Sequence, residues 1–185
     1  MKTAEEVREF WIDQVGPEGW YAVREELDDA IRTQFLETWE LIGTGRLDSW
    51  LTRAEGALAY LILADQFPRN MFRESGRAFS TDVRALKAAQ TVVRKEWDQL
   101  IDAPARQFFY LPFMHSESLT DQDHCVRLIC ERMPGAGDTL MHAQAHRHVI
   151  RLPGRRRVCA HFALYGVNAA FTKADQFSEL PPIAR

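Results

Sequence analysis

Two stretches place polar side chains within strongly apolar chain, and these are where chemistry is expected. In Leu63-Ala64-Asp65-Gln66-Phe67-Pro68-Arg69-Asn70-Met71-Phe72-Arg73, followed closely by Arg77-Ala78-Phe79-Ser80-Thr81-Asp82, an aspartate continues the most hydrophobic run of the protein. An unpaired buried charge is costly, so Asp65 needs partners. Two arrangements fit the spacing. Asp65, Arg69 and Arg77 can form an ion-pair network joining one helix end to the next helix start, with Gln66 and Asn70 satisfying turn amides. Alternatively, Arg69 and Arg77 form a fork for a carboxylate or phosphate at the N-terminus of a helix opened by Ser80 or Thr81, with Asp82 in its first turn.

The second stretch is Phe108-Phe109-Tyr110-Leu111-Pro112-Phe113-Met114-His115-Ser116-Glu117-Ser118-Leu119-Thr120-Asp121-Gln122. Beside a wall of aromatics, His115 and Glu117 admit a general acid/base role with Asp121 as orienter, because imidazole titrates near neutrality and a carboxylate fixes its tautomer. The competing account is structural: Ser116 or Ser118 caps the following helix, Glu117 and Asp121 favour its positive end, and His115 bonds a carbonyl. Gln122 falls on the inward face of that helix. The candidate catalytic residues are thus His115, Glu117 and Asp121, and the candidate binding residues are Asp65, Gln66, Arg69, Asn70, Arg77, Asp82 and Gln122.

His142 and His146 lie four apart, which puts both imidazoles on one helical face, but no Glu stands beside His142 and no further ligand is evident. No metal and no cofactor are expected. Cys125, Cys130 and Cys159 form no paired motif and read as reduced core thiols.

The elements that must position these residues read as helices throughout. Thr3-Ala4-Glu5-Glu6 is a capping box, and Val7, Phe10 and Trp11 share the face that follows. Leu27, Ile31, Phe35 and Trp39 predict a helix from about Val23 to Ile42, ended by Gly43 and Gly45. Thr52-Arg53-Ala54-Glu55 predicts a second capping box, opening a helix apolar nearly all round that Pro68 should stop. Further helices are expected from Thr81, with Val83, Leu86, Ala89 and Val93 on one face; from Asp102-Ala103-Pro104 to just before Pro112; from Ser118 to Arg132, with Leu119, Gln122, Val126 and Ile129 inward; and from Thr139 to about Leu152. Val158 to Phe171 is ambiguous in period, and Thr172 can cap a last helix. The fold expected is all-α, six to eight antiparallel helices over residues 1–185 as one domain, either stacked as pairs or closed as a compact bundle.

Composition narrows the function classes. Twenty-three Lys plus Arg against twenty-six Asp plus Glu give a net charge of -3, which is no polycation for nucleic acid or membrane. Residues 1–65 carry a balance of -8, and Arg147, Arg151, Arg155, Arg156 and Arg157 cluster later without a neighbouring acid. That tract lacks aromatic interleaving, so nucleic acid is not an expected partner, and pairing with the acidic half, within the chain or across a homodimer, is at least as good an account. The first ten residues have no apolar signal region and Ala57 to Ala64 is too short to span a bilayer, so a soluble cytoplasmic protein without membrane association is expected.

The phrases "LADQFPRNMFR", "RAFSTD" and "FFYLPFMHSESLTDQ", in this order, together with "REFW" and "AHRHVIR", closely resemble the signature blocks of the bacterial domain of unknown function 924 family. The resemblance spans roughly Val7 to Arg151 and implies a tetratricopeptide-like right-handed helical fold. It implies no activity, since that family has none assigned. Members usually continue after the His-Arg pair with Asp-Ile-Ile and a Gly-Arg-Phe-Pro-His-Arg-Asn segment, whereas His148 to Cys159 here contains neither. A helical module binding a peptide or another protein is the leading functional expectation. The alternative is a small enzyme, or a binder of small anionic ligands, using a pocket where the two polar stretches meet.

Overall fold

The computed structural model of the chain describes residues 1–73 and 75–151. The expectations for Cys159, Arg155 to Arg157, Val158 to Phe171 and Thr172 lie outside the described residues. Among the described residues every regular element is a helix, and there is no strand. Helix α1 (Ala4–Arg8) opens on the capping box read from the sequence, with Thr3 Oγ1 accepting from the Glu6 amide at 3.2 Å and Glu6 Oε2 from the Thr3 amide at 2.8 Å. It runs on as a π-helical stretch, Glu9–Val15, into the short α2 (Gly16–Gly19).

Helix α3 (Glu25–Trp39) buries Ile31, Phe35 and Trp39. It is shorter than the periodicity predicted at both ends. Val23 is exposed and Arg24 is extended, while beyond Trp39 the chain tightens into i to i+3 turns that lead to Gly43 and Gly45, both at φ 86°.

The centre of the bundle is α4 (Ala54–Leu61), which packs on α1 and on α6 (Asp82–Arg94). Every residue from Gly56 to Met71 is buried, as an all-apolar helix requires. Gly56 permits the closest of these contacts, since a Cβ there would sit 2.3 Å from the Trp50 carbonyl oxygen. The expected capping box at Thr52 does not form. Arg53 is the N-cap, and the Thr52 hydroxyl instead donates to the Ser49 carbonyl at 2.7 Å.

Pro68 does not stop this helix. The chain passes from α4 through a π-helical turn, Ile62–Gln66, directly into α5 (Phe67–Met71), with Pro68 in the first turn of α5, where a missing amide costs least. The Phe67 amide reaches back to the Ile62 carbonyl. The Ala64 carbonyl, four residues before the proline and so without an amide from it, accepts from the buried Thr81 hydroxyl at 2.6 Å. That use explains why Thr81 precedes α6 without capping it.

Helix α6 turns Ala85, Ala88, Ala89, Val92 and Val93 inward, a face one step round from the one predicted, and Val83 is 82% exposed. Pro112, expected as a stop, is instead in the first turn of α7 (Leu111–Met114), following a 3₁₀ stretch Ala105–Phe109. Helix α8 (Leu119–Arg132) is capped by Ser118, whose hydroxyl accepts from the Asp121 amide, and buries Gln122, Cys125, Val126, Leu128 and Ile129 while Leu119 is exposed. Cys130, expected in the core, is exposed too. Helix α9 (Gly137–Arg151) begins two residues before the Thr139 start that the sequence predicts and packs on α8 and α7. Its Arg147 and Arg151 pair with Asp123 of α8, at 3.4 and 3.2 Å, and not with the acidic N-terminal half. No helix of the described residues is long and apolar enough to cross a membrane.

Candidate functional site

The π turn and α5 carry Asp65, Gln66, Arg69 and Asn70 to one edge of the bundle, and α7 delivers His115 to the same place. Asp65 is 1% exposed and His115 7%. His115 Nδ1 lies 2.8 Å from Asp65 Oδ1, a contact between residues fifty apart in sequence. The second carboxylate oxygen of Asp65 accepts from Gln66 Nε2 at 2.5 Å, and Arg69 Nη2 stands 3.4 Å from Oδ1. Burial pushes the Asp65 carboxyl up, but the charge and hydrogen bond of His115, the Arg69 guanidinium and the Gln66 amide together hold it below the usual carboxylate range. An ionised Asp65 accepts from Nδ1, so in the neutral His115 ring the basic nitrogen is Nε2.

Arg69 is held from several sides. Its Nη1 is 2.8 Å from Asp82 Oδ1, without the alignment of a hydrogen bond, and also donates to the Ala78 carbonyl, while the guanidinium lies 4.8 Å from the Phe79 ring centroid. Burial raises the Asp82 carboxyl above its ordinary value, with Arg69 opposing. A parallel cluster joins α5 to α3: Asn70 Nδ2 donates to Asp28 Oδ1 at 2.8 Å, and Arg73 grips the same carboxylate through Nε and Nη2.

Above these groups is a cleft of about 510 Å³. Gln66, Arg69, Asn70 and Arg73 form one wall, Leu111, Met114 and His115 the floor, and Asp138, Met141, His142 and His146 of α9 the facing wall, with Trp20, Tyr21 and Val23 at one end. The His115 and His146 rings are 6.1 Å apart. Tyr21 donates to Gln107 Oε1 at 2.6 Å, closing that end.

Not every candidate residue arrives here. Arg77 is exposed, stacked 4.3 Å from the Phe72 ring centroid and 3.4 Å from Glu40, so it forms neither a network with Asp65 nor a fork with Arg69. Glu117 is exposed. Asp121 accepts from Ser116 Oγ at 2.7 Å and does not orient His115; Asp65 does. Gln122 works from behind, its Nε2 donating to the Met114 and Ser116 carbonyls and so closing the end of α7 beside His115. Reading the sequence missed Tyr21, Arg73, Gln107 and Asp138 as cleft residues, and noted His142 and His146 without placing them there. Their four-residue spacing was the available signal. Among the described residues no group of three or more His, Cys, Asp or Glu is arranged to hold a metal ion.

Burial, followed by the charges of His115, His142 and Arg69, pushes the His146 imidazole down to about 3. Burial also lowers His142, with Asp138 opposing. For a histidine whose folded value lies below its unfolded value of about 6.5, stability is present above that value and drains away as pH falls toward the folded one. Between pH 7 and 5 His146 is therefore expected to cost the fold about 2 kcal/mol. Urea denaturation at the two pH values should show this loss in the wild type and a shallower one in His146→Gln; equal slopes would refute it.

An all-α bundle with a histidine-lined cleft between its fifth, seventh and ninth helices is the class that fold and site define. Residues 7–156 match the family described as bacterial protein of unknown function (DUF924), and the chain belongs to that family. A solved structure of a protein of unknown function from Agrobacterium tumefaciens is similar, with a TM-score of 0.79 and 31% identity over 92% of this chain and 96% of that one. No curated protein matches the chain.

Proposed function

We propose that this protein is a small-molecule enzyme in which His115, oriented by Asp65, serves as a general base at the floor of the cleft. The 2.8 Å contact between His115 Nδ1 and Asp65 Oδ1 carries the reading, because it fixes ring and tautomer and directs the basic character to Nε2. Asp65 is itself anchored by Gln66 and Arg69, so the imidazole is positioned by groups with little freedom. In this reading the base takes a proton from a substrate hydroxyl or from an attacking water. A cleft of about 510 Å³ is of small-molecule size, which favours this account over a module that lays a peptide along an extended groove.

Hydrolysis of p-nitrophenyl acetate, an ester that reports accessible activated imidazoles, tests the base directly. Wild type is expected to exceed His115→Gln at least tenfold, with unchanged circular dichroism. Equal rates would remove His115 from the role.

A further inference from the structure

Two amide side chains in the cleft lining are held by their neighbours so that their carbonyl oxygens are left to accept. Gln66 and Asn70 stand one helical turn apart on the same wall, each 6% exposed. The amide nitrogen of Gln66 donates to Asp65 Oδ2, and that of Asn70 to Asp28 Oδ1. A carboxylate accepts only, so each partner dictates which end of the amide it meets and leaves the carbonyl oxygen pointing elsewhere. Neither oxygen has a donor among the described residues, and neither is among the fully buried unsatisfied atoms, which are Trp11 Nε1, Asp82 Oδ1 and Gln122 Oε1. Both belong to residues that line the cleft, so both can accept from water or from a donor on whatever fills it.

Charge points the same way. Arg69 is engaged by Asp65, Asp82 and the Ala78 carbonyl, and Arg73 by both oxygens of Asp28. Asp138 adds an exposed carboxylate on the facing wall. Each guanidinium that lines the cleft is thus already paired with carboxylates outside the lining, Arg69 with Asp65 and Asp82 and Arg73 with Asp28, and Asp138 is the one carboxylate among the described lining residues. The depressed basicity of His142 and His146 adds no positive charge near neutrality. Among the lining residues Tyr21, Val23 and Met141 are exposed apolar or aromatic side chains, suited to an apolar body.

We propose that the cleft takes a primary amine carried on an apolar body, its ammonium received by the amide oxygens of Gln66 and Asn70 and balanced by Asp138. This rests on the reading of the cleft as the reactive site and names the substrate class it admits. An anion, by contrast, meets two acceptors and two guanidiniums already engaged by carboxylates.

Three near-isosteric probes separate the possibilities: 2-phenylethylamine, 2-phenylethanol and 3-phenylpropionate, each titrated into the full chain by calorimetry, with the imidazole ¹⁵N resonances of His115 and His146 reporting where they bind. The amine is expected to bind at least tenfold more tightly than either isostere and to move both histidine resonances. Asp138→Asn, a change at an exposed position, should weaken the amine at least threefold and leave the alcohol unchanged. Binding of 3-phenylpropionate as tightly as the amine, with the histidine resonances moving, would overturn the amine inference and leave the cleft reading standing. Amine binding that leaves both imidazoles unmoved would overturn the placement in the cleft, and undetectable amine binding or an indifferent Asp138→Asn would overturn the proposal itself.

Discussion

Asp65→Ala is expected to destabilise the fold by about 3–5 kcal/mol, the range for breaking a buried ion pair by removing one partner. The carboxylate is 1% exposed and is shared by His115, Arg69 and Gln66. Its loss removes the acceptor of His115 Nδ1 and of the Gln66 amide, while Arg69 keeps Asp82 and the Ala78 carbonyl. The surviving Asp82 contact limits the damage and sets the upper bound. Urea denaturation at pH 7 should show a lower midpoint with little change in slope, since the same surface is exposed on unfolding. A variant within about 1 kcal/mol of wild type would mean that the aspartate is not the anchor described.

A loss of similar size is expected from Asp98→Ala, at a site with no part in the cleft. Asp98 is fully buried, accepts from the Tyr110 hydroxyl at 2.7 Å, and takes Arg132 Nη1 on both oxygens at 2.9 and 2.8 Å. Burial, then the Asp98 hydrogen bond and charge, raises the Tyr110 phenol well above its ordinary value, so it stays a donor. Removing the carboxylate strands both donors, again at about 3–5 kcal/mol, whereas Tyr110→Phe should cost only about 1 kcal/mol. The two aspartates then separate by function. Under conditions where each variant remains folded, Asp98→Ala should retain the ester hydrolysis that depends on His115, and Asp65→Ala should not. Loss of that hydrolysis in a folded Asp98→Ala protein would contradict the separation.

How far the sequence could be read differs from place to place for physical reasons. The Thr3 and Glu6 box and the Ile31, Phe35, Trp39 face were legible because they rest on contacts three or four residues apart. The polar residues of the Asp65 stretch were legible as exceptions within an apolar run. Their partners were not, because the Asp65–His115 and Asn70–Asp28 contacts join residues fifty and forty-two apart, and spacing along one helix carries no information about another. Pro68 misled because a proline breaks an α-helix only where its missing amide was needed, and the preceding turn removes that need. Val83 and Leu119 were placed inward by side-chain type, but both sit in the first turn of their helices, at the periphery of the packing. Arg77 was grouped with Arg69 by proximity in sequence, yet the 3₁₀ stretch Gly76–Phe79 holds it outward over Phe72.

The π-helical turn at Ile62–Gln66 has a consequence for how relatives of this chain can vary. Such a turn is an α-helix carrying one additional residue, and each helical residue advances the chain by about 100° around the axis. The residues before and after it are therefore out of phase: Ala54–Leu61 are set by one rotational register, and Arg69 and Asn70 by another. A chain that kept every side chain of the cleft but lost a single residue between Leu61 and Pro68 would swing the upstream apolar face away from α1 and α6, or the downstream polar groups away from His115. Length in this stretch is more constrained than the identity of its apolar residues, so it is a gap there, rather than a substitution, that would mark a family member with a differently built cleft.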